Sequence, residues 1–353
     1  MKCGIVTVYN SENCGSFLQA YALSRTLQKK NHEVVFIRQN FKDHSVSPRN
    51  RLKMLVKTAL RGNFSGVKRL KQKHFAFMDA CKKLKIVDKY DDVSCFILGS
   101  DVIWDITVPF FLNHYPFFWG TQFKNKKTIS YAASLGSADE TDVKNTSFIP
   151  IALNNINTIS VRDETSRRSL KPFCKKEIQV VCDPTYLLNK KEYDDIAKPL
   201  DLSDFIFLYY YGNVEKDYEA IIKLIAQKES LKIVTFGNGN QWCDINLAYD
   251  PLLFLSIYDK AKYIITNTFH GTVFATIYEK KFVVIKNEKT KIIDVLKMCG
   301  LSNKMTQTSD DIISILHSDF DYETTRCNIE AERKKAFLFI NEALMGSDTN
   351  GKI

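Results

Sequence analysis

The chain has 353 residues, 45% of them apolar and 25% charged, which is the composition of a folded globular protein and excludes a fibrous or wholly disordered one. Single hydrophobic cores seldom grow past ~250–300 residues, so two domains are expected. A formal charge of +10 predicts attraction to anions: phosphorylated metabolites, a bilayer surface or nucleic acid. Nine scattered cysteines, an odd number with no C-x-x-C pair, exclude a disulfide framework or a zinc site and read as reduced core thiols. No run approaches the ~18–20 apolar residues of a membrane span, and the N-terminal Met1–Tyr9 lacks the apolar core of a signal peptide. A cytoplasmic location is expected.

Taken in chain order, short β-branched runs alternate with helical stretches, the pattern of βαβ units and parallel sheets. Strands are predicted at Gly4–Val8, Glu33–Ile37, Ser94–Leu98, Thr128–Ala133, Thr158–Val161 and Ile178–Cys182. The clearest helix between them runs from Ser16 to Lys30, with Phe17, Ala20, Leu23 and Leu27 on one face. Residues 45–78 hold no acidic residue but carry Arg49, Arg51, Lys53, Lys57, Arg61, Lys68, Arg69, Lys71 and Lys73. Leu52, Leu55, Val56, Ala59 and Leu60 recur there at helical spacing. Two readings stay open: a solvated helix face packed on its domain, or a basic amphipathic element that contacts anionic lipid at the inner face of the plasma membrane. Nucleic acid is excluded as a partner, since the stretch lacks interleaved aromatics and any nucleic-acid fold signature.

A break falls at Asp183-Pro184, followed by a polar helix near Lys190–Ala197 and a turn at Pro199. A second series of strands then follows: Phe205–Tyr211, Lys232–Phe236, Lys262–Thr266 and Phe282–Lys286. The expected organisation is an N-terminal Rossmann-like domain over 1–188 with a basic helical insertion at about 45–85. A second such domain covers 200–345 and ends in a helix over Asp321–Leu344, and 346–353 form a flexible tail. Open parallel sheets bind ligands at the carboxyl ends of their strands. The fold class expected is therefore α/β, two Rossmann-like domains facing a cleft in the GT-B manner.

Four strand-end segments concentrate polar residues. Tyr9-Asn10-Ser11-Glu12-Asn13-Cys14-Gly15-Ser16 joins the first strand to its helix, where small residues and an N-terminus suit an anion or serve simply as caps. There is no G-x-G-x-x-G, and the second strand ends in Arg38 rather than an acid, which disfavours a dinucleotide site. Leu98-Gly99-Ser100-Asp101 presents a carboxylate at a strand end, or else an Asx-turn with no chemistry. Arg162 follows the strand ending at Val161, placed to fork onto a phosphate or carboxylate, or to pair locally with Asp163 or Glu164. Thr266-Asn267-Thr268-Phe269-His270-Gly271-Thr272 sets an imidazole among small polar groups at a helix start, a combination suited to phosphate binding and proton transfer.

In this order the segments resemble the polysaccharide pyruvyl transferase family. The markers are Gly15-Ser16-Phe17-Leu18-Gln19-Ala20-Tyr21-Ala22-Leu23, Gly99-Ser100-Asp101 with Ile103-Trp104, and Ser160-Val161-Arg162-Asp163. Cys182-Asp183-Pro184-Thr185 and Thr266 to Thr272 follow, the last preceded by Asp250-Pro251, Phe254-Leu255 and Ala261-Lys262-Tyr263. The likeness runs to about Ile285 and leaves out the basic stretch.

The resemblance implies transfer of pyruvate from phosphoenolpyruvate to two hydroxyls of a sugar as a cyclic ketal, with release of phosphate. It implies a surface-polysaccharide acceptor, often lipid-linked, and chemistry that needs neither metal nor other cofactor. On that reading His270 is the acid/base, Arg162 binds the donor acid, and Asp101 orients or deprotonates a hydroxyl. Asn10, Gly15 and Ser100 would meet the acceptor, and Asn267, Thr268, Gly271 and Thr272 the phosphate. Two rival readings are a GT-B glycosyltransferase using a nucleotide sugar and a non-catalytic glycan-binding or scaffold protein of the same fold.

Overall fold

In the computed structural model, seven strands form the first sheet: β1 (Lys2–Val6), β2 (Glu33–Ile37), β3 (Ile86–Val87), β4 (Cys95–Leu98), β5 (Lys127–Ala133), β6 (Thr158–Val161) and β7 (Ile178–Val180). Their spatial order is β3-β2-β1-β4-β5-β6-β7, and every pairing is parallel. Six more strands form a second sheet: β8 (Phe205–Tyr209), β9 (Lys232–Phe236), β10 (Ile245–Leu247), β11 (Tyr263–Thr266), β12 (Lys281–Ile285) and β13 (Met305–Thr306). That sheet repeats the plan in the order β10-β9-β8-β11-β12-β13, again all parallel. The structure describes residues 1–39, 41, 47–123, 125–237, 240–285 and 290–345. The expected tail at 346–353, Ser45 and Val46 of the basic stretch, and Lys286 of a predicted strand lie outside the described residues.

The sequence explains why the sheets are parallel and covered. All residues of β4, β8 and β11 are buried, so these strands read as unbroken apolar runs rather than alternating ones. The first core gathers Val6, Val35, Phe96, Leu98, Trp104, Trp119 and Val161, and the second Ile206, Leu208, Ile222, Ile265, Val283 and Ile285. Every predicted strand is present within two residues at its described ends. Three of the four edge strands, β3, β10 and β13, were not predicted, because two or three residues carry no periodic signal; β7 is equally short but lies in the longer, largely apolar run Ile178–Cys182.

Internal contacts divide the chain into two compact units. The first holds Met1–Pro48, Cys81–Leu188 and the chain from Ala331 on; the second holds Arg49–Ala80 and Asn189–Glu330. The basic helices Pro48–Leu60 and Phe64–Cys81, expected as an insertion in the N-terminal domain, therefore group almost entirely with the second unit. Their contacts show why. Phe77 stacks on Tyr249 with ring centroids 6.1 Å apart, Lys73 lies 4.8 Å from the same ring, and Asp79 pairs with Lys198 at 3.5 Å. The terminal helix Tyr322–Met345 contributes its first residues to the second unit and the rest to the first.

In each sheet the strand order reverses between two neighbours, β1 and β4 in the first and β8 and β11 in the second. At such a switch point the connections leave in opposite directions and open a crevice beyond the carboxyl ends of the strands. Val6 is in register with Leu98, and Tyr209 with Thr266, so those ends are level. The segments after them are where each unit concentrates its chemistry.

Candidate active-site residues

In the first unit the loop after β4 is held in an uncommon shape. Gly99 has φ +115°, and a Cβ there would lie 2.3 Å from the Tyr131 carbonyl oxygen, so only glycine fits. Asp101 also has a positive φ, +81°, a conformation that costs a non-glycine residue on the order of 1–3 kcal/mol. The cost is met by anchorage on both sides. Ser134 N–H donates to the Asp101 carbonyl at 3.0 Å, and Trp104 N–H donates to the Ser134 carbonyl at 3.2 Å. The Trp104 indole N–H reaches the Phe118 carbonyl at 3.0 Å, and its ring stacks on Trp119 at 4.6 Å. Ile103-Trp104 thus serves as a buried anchor for the aspartate turn.

Around Asp101 the sheet brings together groups far apart in sequence. Ser16 Oγ donates to Asp101 Oδ2 at 2.7 Å, and Val102 N–H donates to Oδ1 at 2.9 Å. Arg162, first residue after β6, places Nη1 3.0 Å from Asp183 Oδ2 and 3.9 Å from Asp101 Oδ1. Ser100 Oγ adds a long contact of 3.4 Å to Asp183 Oδ2. Thr185 donates to Asp183 Oδ1 twice, from its amide at 3.0 Å and its hydroxyl at 2.7 Å. The helix Cys14–Lys29 packs on the turn Pro184–Leu187 and so fixes both Ser16 and Asp183.

Electrostatics follows from burial. The Arg162 side chain is 3% exposed, that of Asp183 1% and that of Asp101 11%, so one cation and two carboxylates share a nearly dry site. Burial penalises the guanidinium charge, but Asp183, Asp101 and Asp163 outweigh it and hold its pKa above the ordinary value. The cluster is left one negative charge in excess, with Asp101 its most accessible carboxylate. Arg162 therefore points at two aspartates brought in by the sheet. Of the two local partners offered as an alternative for it, Asp163 caps the helix Glu164–Leu170 and accepts from Ser134 Oγ at 2.7 Å, and Glu164 pairs with Arg167.

The opening loop is built as a cap. Asn13 Oδ1 accepts from Gly15 N–H at 2.9 Å and from Ser16 N–H at 3.2 Å. Gln19 Nε2 donates to Thr7 Oγ1 at 3.0 Å, and Thr7 Oγ1 donates to the Ser100 carbonyl at 2.7 Å, joining the two switch-point loops. Asn10 is half-buried, and its Oδ1 is buried with no hydrogen-bond partner among the described residues. A buried polar atom in that state costs about 1–3 kcal/mol unless a bound group satisfies it.

In the second unit the corresponding turn follows β11. Thr268 caps the helix Phe269–Ile277, its Oγ1 accepting from Gly271 N–H at 3.0 Å. Thr266 Oγ1 donates to the Tyr209 carbonyl at 2.7 Å and lies 3.0 Å from Thr268 Oγ1. Thr272 Oγ1 donates back to the Thr268 carbonyl at 3.0 Å. A Cβ on Gly271 would sit 2.2 Å from Thr266 Oγ1 and 2.4 Å from Thr268 Oγ1, so the glycine lets both hydroxyls close under the helix start. Asn267 clasps the end of β8: Tyr211 N–H donates to its Oδ1 at 2.8 Å, and its Nδ2 donates to the Tyr211 carbonyl at 3.1 Å.

The polar side chains of this motif thus shape the loop. Asn267, Thr268 and Thr272 hydrogen-bond to the backbone, the Gly271 and Thr272 amides are taken up by Thr268, and the half-buried imidazole of His270 stands at this helix start. His270 packs edge-on against Phe269 with centroids 5.0 Å apart. Sequence reasoning did not single out Asp183 as a site residue, although it stands in one of the strand-end markers. Tyr211, 84% exposed at the other side of the switch point, was missed as well and carried no local signal.

Two parallel doubly wound α/β domains define a protein of the GT-B type. Three solved structures share the fold. A UDP-GlcNAc 2-epimerase from Methanocaldococcus jannaschii, in complex with UDP-GlcNAc and UDP, is 13% identical with a TM-score of 0.52, covering 97% of this chain and 100% of its own. One from Neisseria meningitidis bound to UDP-GlcNAc is 12% identical, with a TM-score of 0.52 and coverage of 96% and 100%. A further UDP-N-acetylglucosamine 2-epimerase is 11% identical, with a TM-score of 0.55 and coverage of 99% and 96%. No curated protein matches the chain.

The family narrows the class. The model of the polysaccharide pyruvyl transferase family matches residues 13–289, a span that takes in three of the four strand-end segments and Asn13–Ser16 of the first, and the chain belongs to that family. Its activity is pyruvyl transfer in polysaccharide biosynthesis. Among the described residues no helix is long and apolar enough to cross a membrane.

Proposed function

We propose that the chain transfers pyruvate from phosphoenolpyruvate to two hydroxyls of one sugar, forming a cyclic ketal and releasing inorganic phosphate. The observation that carries this reading is the buried Asp101–Arg162–Asp183 cluster, with Ser16 donating to Asp101. Its excess negative charge suits a proton-accepting role toward neutral hydroxyls and repels an anionic donor. The donor's phosphate and carboxylate call for the opposite field, which a helix N-terminus with an imidazole beside it supplies.

In this mechanism Asp101 accepts the proton of an attacking hydroxyl, while Ser16 Oγ–H fixes the orientation of the carboxylate. Arg162 holds Asp101 and Asp183 in place, acting through them rather than on the donor. His270 in its protonated form delivers a proton to the methylene carbon of phosphoenolpyruvate, which becomes the methyl group as the hydroxyl oxygen bonds to the adjacent carbon. The second hydroxyl then displaces phosphate from that carbon, and its proton leaves with the phosphate. Developing positive charge at the ketal carbon and negative charge on phosphate make preorganised dipoles the main source of rate enhancement. The acceptor we assign is a saccharide unit of a polysaccharide precursor, carried on a lipid. Asn10 and the Ser100 turn are its contacts.

Thermal melting with each candidate donor tests the reading without knowledge of the acceptor, because a ligand that binds only the folded state raises the transition. Phosphoenolpyruvate at saturation is expected to raise the melting temperature, with UDP-GlcNAc leaving it unchanged. A rise with the nucleotide sugar alone would replace pyruvyl transfer by glycosyl transfer.

A further inference from the structure

The helix Pro48–Leu60 has thirteen residues and not one buried side chain, so no core requires its leucines. Leu52 is 63% exposed, Val56 48% and Leu60 83%, and Phe64, just beyond the helix, is 75% exposed. Scattered exposed leucines are ordinary; a row of them at fixed helical spacing is not. Positions 52, 56 and 60 follow one another four residues apart and form a single stripe. On one flank lie the half-buried Leu55 and Ala59, and on the other the row Arg49, Lys53, Lys57 and Arg61. Leu52, Val56 and Leu60 line one surface depression together with Lys53, Lys57 and Arg61.

We infer that this helix docks the protein on an anionic lipid bilayer, with Leu52, Val56 and Leu60 entering the acyl boundary and the lysine–arginine row meeting the headgroups. Charge complementarity selects the occupant. No acidic residue occurs from 45 to 78, so every charged residue that this stretch sets beside the apolar stripe is a cation. A second copy of this chain would bring an equally cationic helix against it, and nucleic acid would leave the leucine row in water. A bilayer with anionic headgroups offers an apolar interior and a negative rim at the same depth, the surface an amphipathic basic helix matches. The inference stands apart from the donor chemistry proposed above.

Co-sedimentation of the full chain with vesicles tests it. The wild-type protein is expected to pellet with phosphatidylcholine vesicles containing about one-third phosphatidylglycerol and to stay in solution with phosphatidylcholine alone. Leu52→Ser/Val56→Ser/Leu60→Ser is expected to weaken partitioning at least ~10-fold at low salt, and Arg49→Gln/Lys53→Gln/Lys57→Gln/Arg61→Gln to do so by a similar factor. These positions are exposed, so both variants should melt as the parent does, and the melting curve verifies it. The inference is overturned if the wild type ignores anionic vesicles, or if the serine variant binds them as the parent does. It is equally overturned if light scattering shows a dimer that the serine variant dissociates while neither form binds lipid.

Discussion

His270→Ala is expected to lower turnover about 100-fold or more while leaving the melting temperature close to that of the parent chain. The imidazole is half-buried at the start of the helix Phe269–Ile277. The loop that carries it is held by other groups: the Thr268 cap, the Thr266–Thr268 hydroxyl pair and the Asn267 clasp on Tyr211. Removing the ring therefore takes away the proposed proton donor without dismantling its support. His270→Gln separates the two functions an imidazole can have, since it keeps a hydrogen-bonding group but has no proton to give near neutrality. Both variants should lose the limb of the pH–rate profile that reports the acid. Near-normal turnover in His270→Ala would remove the imidazole from the reaction.

Arg162→Met should have its largest effect on stability, a loss of about 3–5 kcal/mol, because removing one partner of a buried ion pair leaves the other uncompensated. Asp183, at 1% side-chain exposure, retains its bonds from Thr185 but loses the guanidinium that stood 3.0 Å away. The control is Asp183→Asn in the same background. With the stranded carboxylate made neutral, part of the lost stability should return, which denaturant titration measures. Arg162→Lys keeps a charge but not the planar fork and should fall between the two. A destabilisation under about 1 kcal/mol for Arg162→Met would mean that the two aspartates do not depend on this cation.

The outcome at Arg162 shows how far a single sequence carries. That an arginine stands at the end of β6 was legible, because Thr158-Ile159-Ser160-Val161 reads as a buried strand. Its partners were not, since Asp183 lies 21 residues further on and reaches it only through the register of β6 and β7. The same holds for Asn267, whose partner Tyr211 is 56 residues away across the switch point between β8 and β11. Apolar runs reveal strands because both faces of a parallel sheet are covered, whereas β3, β10 and β13 are too short to show one. The grouping of the basic helices was hidden for a different reason. Their attachment to the second unit rests on Phe77, Lys73 and Asp79 meeting residues beyond 197, and no local pattern encodes such contacts.

On the proposed function, phosphoenolpyruvate and a sugar are consumed together. Incubating the protein with phosphoenolpyruvate and a panel of free and lipid-linked saccharides, while following inorganic phosphate and the mass of each acceptor, puts it to the most direct test. Phosphate release is expected only when a competent acceptor is present, matched one for one by acceptor bearing a pyruvate ketal. Phosphate release indifferent to every acceptor, or consumption of a nucleotide sugar in place of phosphoenolpyruvate, would contradict it.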